Sequence, residues 1–197
     1  VRHMVGRSID QFFPKKEAKV GGEILRVENL SRTGYFADVS FTLNAGEILS
    51  LTGLVGAGRT EVIEALLGIT RPSSGRVFVE GKQVQIHSPS DAMGLGIGLL
   101  PEDRQKQGLL LPWSISRNIT LPSLRRFSRR RLMVAAAEQQ EADRLKHLTD
   151  IRATSIHDTA ASLSGGNQQK LVVSKLLCCK SRILVMDEPT KGVDVGS

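Results

Sequence analysis

Aromatic residues are scarce: Phe, Trp and Tyr together make up 4% of the 197 residues. A surface that stacks nucleobases needs aromatic rings, so this scarcity argues against a base-stacking nucleic-acid binder. Cysteine is nearly absent, and the two present, Cys178 and Cys179, are neighbours in a predicted helix. Adjacent positions lack metal-ligand spacing and are poorly placed to bridge each other, so both read as small buried apolar residues. No apolar run approaches the roughly 20 residues of a membrane span. No stretch has the make-up of a secretory signal, and the expectation is an intracellular protein. Position 1 is Val rather than an initiator Met, and residues 1–20, with Pro14-Lys15-Lys16-Glu17 after Ile9, Phe12 and Phe13, read as the end of something upstream plus a linker.

What is there has the size of one ordinary domain, with 40% hydrophobic residues to build a core. The net charge of +7 and sequence pI near 9.8 permit an anionic partner without naming one. From Gly21 onward the chain reads as structured. Strand-like runs cover Ile24–Val27, Val39–Leu43 and Gly46–Thr52. The second alternates, as in a half-exposed antiparallel sheet. Arg76–Val84 reads as a hairpin turning at Gly81, Ser88-Pro89-Ser90-Asp91 as a helix start, and Gly96–Leu100 as a buried strand stopped by Pro101. Residues from about 105 to 180 are mainly helical in pattern. One short helix spans Ser114–Leu121, a longer one is capped by Ser128 and runs to about His147, and a third spans Asn167–Lys180. The cations Arg125, Arg126, Arg129, Arg130 and Arg131 would crowd the start of the second, against its dipole. Ile183–Met186 is a continuous apolar run, the type buried on both faces of a parallel sheet.

Three stretches carry chemistry. Gly53-Leu54-Val55-Gly56-Ala57-Gly58-Arg59-Thr60 follows the phosphate-loop pattern, with Arg59 at the lysine position. A strand, a glycine turn and a helix in that order aim backbone N–H groups and the positive end of a helix dipole at one point. Gly56 and Gly58 let the backbone wrap an anion. Thr60 is placed to offer its hydroxyl to Mg²⁺, and Arg59 to reach the outer phosphates. The second stretch, Asp187-Glu188-Pro189, sets two carboxylates at the carboxyl end of the last strand, the edge where ligands bind in open α/β sheets. Near a bound Mg-nucleotide, Asp187 would hold the metal's water shell and Glu188 would orient or polarise an attacking water. In the third, Ser164, Gly165 and Gly166 open a helix and offer a second anion site. Two such folds set head to tail would each close the other's nucleotide.

Together these motifs resemble the ATP-binding cassette (ABC) family, and more narrowly the second of two cassettes in single-chain ATPases of bacterial sugar importers of the ribose, galactose, arabinose and autoinducer kind. The likeness rests on GLVGAGRTE at 53–61, Pro101-Glu102-Asp103-Arg104 at the glutamine-loop position, LSGGNQQK at 163–170 and EPTKGVDVG at 188–196. It implies an α/β P-loop NTPase core with an antiparallel β subdomain and a helical subdomain at about 105–180, truncated at the C-terminus short of the switch-histidine region. Residues 1–20 would be the tail of a preceding cassette and its linker, and 21–197 the ATPase domain.

The resemblance further implies that Gly53 to Thr60 bind ATP and that Thr60 and, through water, Asp187 hold Mg²⁺. Glu188 would be the catalytic glutamate, and Ser164, Gly165 and Gly166 would face the partner's γ-phosphate. Asp194 would couple the two sites, and Glu102 would sense nucleotide and membrane subunit. Tyr35 or Phe36 falls near the place of the adenine-stacking aromatic. The implied partners are a first cassette in the same chain, transmembrane permease subunits and, indirectly, a periplasmic solute-binding protein, with the chain peripheral on the cytoplasmic face of the bacterial inner membrane and no nucleic acid bound. Two departures leave alternatives open. Arg59 brings a planar guanidinium in place of a compact ammonium, compatible with an ATPase or with a cassette that binds ATP only to complete its partner's site. Glu102 puts a carboxylate where an amide is usual, to ligate Mg²⁺ or to repel the γ-phosphate. A soluble, non-transport ABC ATPase acting on nucleic acid is a further alternative, which the basic balance allows.

Overall fold

The computed structural model describes residues 19–54, 56–129 and 132–191. The chain divides between Leu95 and Gly96 into two compact units.

The first unit is built on a four-stranded antiparallel sheet. Strands β1 (Glu23–Arg32), β2 (Phe36–Asn44), β3 (Ser74–Val79) and β4 (Lys82–Val84) are ordered β2-β1-β3-β4. Leu25 and Val27 of β1 are buried at alternate positions, Leu25 opposite Leu43 and Val79. The next buried residue is Leu30, one position out of phase. A bulge explains the shift: Val27 faces Phe41 and Leu30 faces Val39, so β1 carries one extra residue, and Asn29 takes up a left-handed φ of 49°. Gly75 of β3 crosses this bulge at φ 111°, and a Cβ there would stand 2.5 Å from the Leu30 Cα. Only glycine fits, and Gly75→Ala is expected to cost about 2 kcal/mol in urea unfolding. The β3–β4 hairpin turns through Glu80 and Gly81, at φ 50° and 76°, the two left-handed residues that a tight two-residue turn demands.

Helix α1 (Arg59–Leu66) buries Val62, Ile63, Ala65 and Leu66, with Leu67 just beyond, as the spacing predicts. Helix α2 (Pro89–Gly94) begins where Ser88 accepts the Asp91 N–H, with Pro at the first helical position. One expectation fails. Residues 47–52 form no strand, and Ile48 is 93% exposed. Apolar patterning reports which side chains favour a strand, whereas a strand exists only where a neighbouring backbone accepts its ladder.

In the second unit, β5 (Ile97–Leu100) pairs in parallel with β8 (Ile183–Met186), from Ile97 opposite Ile183 to Leu100 opposite Met186. Parallel pairing is as expected, but burial of β8 on both faces is not: Ile183 is buried while Leu184 and Met186 are exposed. Among the described residues this sheet has two strands, and the face of β8 that carries Leu184 and Met186 is left largely uncovered. Between β5 and β8 lie helices α3 (Ile115–Thr120), α4 (Ala135–Leu148) and α5 (Gly165–Cys178), which share a core containing Ile115, Ile119, Leu145, Leu171 and Val172. Asn118 is buried in α3 and fully paired: its Oδ1 accepts the Leu110 N–H, and its Nδ2 donates to the carbonyls of Leu110, Trp113 and Ser114. A buried amide satisfied on both ends fixes the 109–114 loop to the helix it precedes.

Ser128 does not cap α4. It lies in β6 (Ser128–Arg129), which pairs with β7 (Leu132–Met133), and its hydroxyl donates to the Arg125 carbonyl. Helix α4 starts only after Val134. Arg125 and Arg126 therefore do not oppose its dipole. Arg126 instead donates to the Cys178 carbonyl at the C-terminal end of α5, where a cation is favourable. Arg130 and Arg131 lie outside the described residues. Cys178 is buried and Cys179 only half-buried, both as free thiols.

Candidate nucleotide site

The loop from Gly53 to Thr60 belongs to the first unit. The Ala57 N–H donates to the Leu54 carbonyl at 3.1 Å, which tightens the turn, and Gly56 and Gly58 both stand at φ 82°. Gly58 is the N-cap of α1 and supplies no side chain to its first amides, which an α-helix cannot pair internally. Glycine is also required by packing: a Cβ on Gly58 would stand 3.0 Å from the Tyr35 carbonyl oxygen and 3.5 Å from the Phe36 Cβ. The hairpin from β1 to β2 thus brings Tyr35 and Phe36 against the loop. The Tyr35 ring is half exposed, with the Arg32 guanidinium 3.9 Å from its centroid. Arg59 is half-buried and Thr60 exposed. Val55 lies outside the described residues.

The other candidate residues belong to the second unit. The Asp187 N–H donates to the Leu100 carbonyl at 3.0 Å, so the β8 ladder runs right up to the acidic pair. Glu188 then takes φ 43°, and the Lys191 N–H returns to its carbonyl at 3.0 Å. The turn from Glu188 to Lys191 is braced from two directions. Gln169 of α5 donates to the Pro189 carbonyl, and Arg104 Nη1 donates to the Lys191 carbonyl at 2.7 Å and to Gln169 Oε1 at 3.3 Å. Glu102 is paired: its carboxylate meets the Lys191 ammonium, which also lies 3.9 Å from Glu188 Oε2. The hydrogen bond it donates to Glu102, with the charges of Glu102, Glu188 and Asp103, holds Lys191 above the ordinary lysine range.

Ser164 is the N-cap residue of α5, yet its hydroxyl makes no capping bond to the helix. It is exposed and meets the Asn167 side-chain amide at 3.0 Å, while Asn167 Oδ1 accepts the Arg152 N–H at 2.9 Å. With its hydroxyl turned to Asn167, Ser164 gives the first amides of α5 no side-chain cap. Asp194 lies outside the described residues. Gln168, Gln169, Arg104 and Lys191 received no role from the sequence. Gln168 accepts from the Gln105 amide at 2.9 Å and the half-buried Lys175 donates to the Gly108 carbonyl at 2.8 Å, so α5 is tied along its length to the segment after Glu102. Burial pulls the Lys175 ammonium below the usual lysine range. A polar helix face carries no mark of which loop it meets, and no sequence signal pointed to these pairs.

The family model described as ABC transporter matches residues 36–191. This chain belongs to the ABC transporter family. Over all 197 residues it is 48% identical to the ribose import ATP-binding protein RbsA 2 of Rhizobium johnstonii and 46% identical to RbsA 3 of Rhizobium etli. It spans 38% and 39% of those proteins' lengths. Among solved structures, the ATP-binding cassette MJ1267 of an ABC transporter superposes with a TM-score of 0.71 at 23% identity, over 87% of this chain and 71% of that one. The cassette fold expected from the motifs is thereby established. Among the described residues, no helix is long and apolar enough to cross a membrane.

Proposed function

We propose that this chain is the ATP-binding cassette, spanning residues 21–197, of a bacterial sugar importer, and that it binds and hydrolyses Mg-ATP to drive uptake. The observation that carries the reading is identity of 46–48% across the whole chain to ribose import ATP-binding proteins. The glycine loop gives it a chemical basis. Backbone amides from Gly53 to Thr60 and the Arg59 guanidinium hold the phosphates. Thr60 and Asp187 offer hard oxygen donors of the type that suits Mg²⁺, a cation held mainly by one or two protein groups and nucleotide phosphates. When bound, Mg²⁺ neutralises charge that develops on the phosphates. Glu188 orients and polarises the attacking water. Tyr35 or Phe36, both of which pack against Gly58, would stack on the base.

Ser164, Gly165 and Gly166 serve the other nucleotide, that of a partner cassette, and Asp194 couples the two. ATP closes the pair of cassettes, and hydrolysis reopens it. A permease and a solute-binding protein complete the transporter, with this chain on the cytoplasmic face of the inner membrane. In vesicles carrying the complete transporter, Gly165→Asp should lower ATP-driven ribose accumulation roughly tenfold, because a carboxylate would face the partner's phosphate. Mg-ATP binding at this chain's own loop should stay within about twofold of the parent. Unchanged accumulation would refute the role of the Ser164 loop. If the parent drives no accumulation of any pentose or hexose, the importer reading itself fails.

A further inference from the structure

We propose that Lys191 is a positioning residue: its ammonium joins the Glu102 loop to the turn that carries Glu188, and so couples the state of that loop to the way Glu188 is held. The inference rests on the reading of Glu188 as the carboxylate that acts on water. Three observations support it. The Lys191 ammonium meets Glu102, 89 residues away in sequence, and stands 3.9 Å from Glu188. Its backbone closes the turn, its N–H donating to the Glu188 carbonyl at 3.0 Å. Its carbonyl accepts from Arg104, two residues beyond Glu102, at 2.7 Å. The side chain and both backbone groups of one residue thus tie the Glu102 loop to the Glu188 turn. A shift of Glu102 toward another cation would release the ammonium and leave Glu188 with a changed counter-charge and a looser turn.

This also gives the carboxylate at position 102 a use that an amide would not have. An amide would offer Lys191 a neutral acceptor, whereas a carboxylate gives it an ion pair. The three side chains are each about half exposed, at 57% for Lys191, 42% for Glu102 and 52% for Glu188. The link is therefore weak enough to be exchanged during a catalytic cycle.

Hydrogen exchange in the full chain tests the link without relying on turnover. Glu102→Gln and Lys191→Met should each speed exchange of the backbone amide at position 191, relative to its intrinsic rate, about threefold to fivefold. The double variant should exchange no faster than the faster single, because both remove the same link. Lys191→Arg should keep the parent rate. Parent-like exchange in Glu102→Gln, or effects that multiply in the double variant, would overturn the coupling.

In the complete transporter, Lys191→Met should lower kcat about threefold and leave KM for Mg-ATP within about twofold, the pattern of a residue that acts on the chemical step rather than on binding. An unchanged kcat would overturn the positioning role. If turnover proves insensitive to Glu188→Gln, the catalytic reading of Glu188 falls, while the exchange experiment still decides whether Glu102 and Lys191 are joined.

Discussion

Glu188→Gln is expected to lower ATP turnover at this site by about a hundredfold or more, the usual contribution of a positioned general base. The substitution keeps the size and shape of the side chain and removes only its capacity to take a proton. Glu188 is half exposed, follows directly on the strand-end Asp187 and is held in a left-handed turn. A non-glycine residue in that region costs about 1 kcal/mol or more. The surrounding contacts hold it there: Gln169 on the Pro189 carbonyl, Arg104 on the Lys191 carbonyl and Lys191 on its own. Mg-ATP affinity should change by less than about threefold, since the effect is on the reaction step. The measurement is steady-state phosphate release by the complete transporter, with the partner cassette silenced by the equivalent change. No phosphate release with Glu188 intact and the partner silenced would mean that this cassette binds ATP to complete its partner's site and hydrolyses none itself.

The second large effect is expected at Arg59. Arg59→Ala should weaken Mg-ATP binding about tenfold to a hundredfold, because a hydrogen bond between a guanidinium and a phosphate is a charge-assisted one, worth about 1.5–3 kcal/mol. Arg59→Lys should retain binding within about threefold. The ammonium keeps the charge, loses the forked geometry, and is the residue that the phosphate-loop pattern itself carries. Both follow from the position of Arg59 as the first residue of α1, directly after the Gly58 cap, where its side chain and the helix amides would address the same anion. Calorimetric titration with ATP and Mg²⁺ reads the effect directly. Equal affinity in Arg59→Ala and the parent would remove the arginine from the phosphate site and leave binding to the backbone amides alone.

Much of the local structure was legible in the sequence because it depends on residues a few positions apart. Glu80-Gly81 makes a tight hairpin turn, Ser88-Pro89 starts α2 and Ser114 caps α3 through the bond from Arg117 N–H, all within four residues of the groups they satisfy. The apolar face of α1 follows from its period. What was missed depends on partners far away in the chain. The run at 47–52 has strand-forming side chains and no ladder. Ser128 looks like a cap, yet its hydroxyl is taken by Arg125 and the chain makes a small hairpin before α4 begins. The arginine cluster looks misplaced against a dipole, until Arg126 is found at the end of a different helix.

The candidate site divides along the same line. The sequence by itself supplied the groups proposed to meet a nucleotide: the glycines and amides of 53–60, the hydroxyls of Thr60 and Ser164, and the carboxylates of Asp187 and Glu188. Their chemistry follows from residue type and from helix and strand ends, which are short-range features. Only the tertiary structure decided how those groups are held. It set the Tyr35 carbonyl against Gly58, took the Ser164 hydroxyl off its helix, and gave Glu102 Lys191 as counter-ion. The physical reason is that an ion pair or a close packing contact forms between whichever side chains the fold brings within a few ångströms, and nothing in the local pattern around Glu102 encodes a lysine 89 residues downstream.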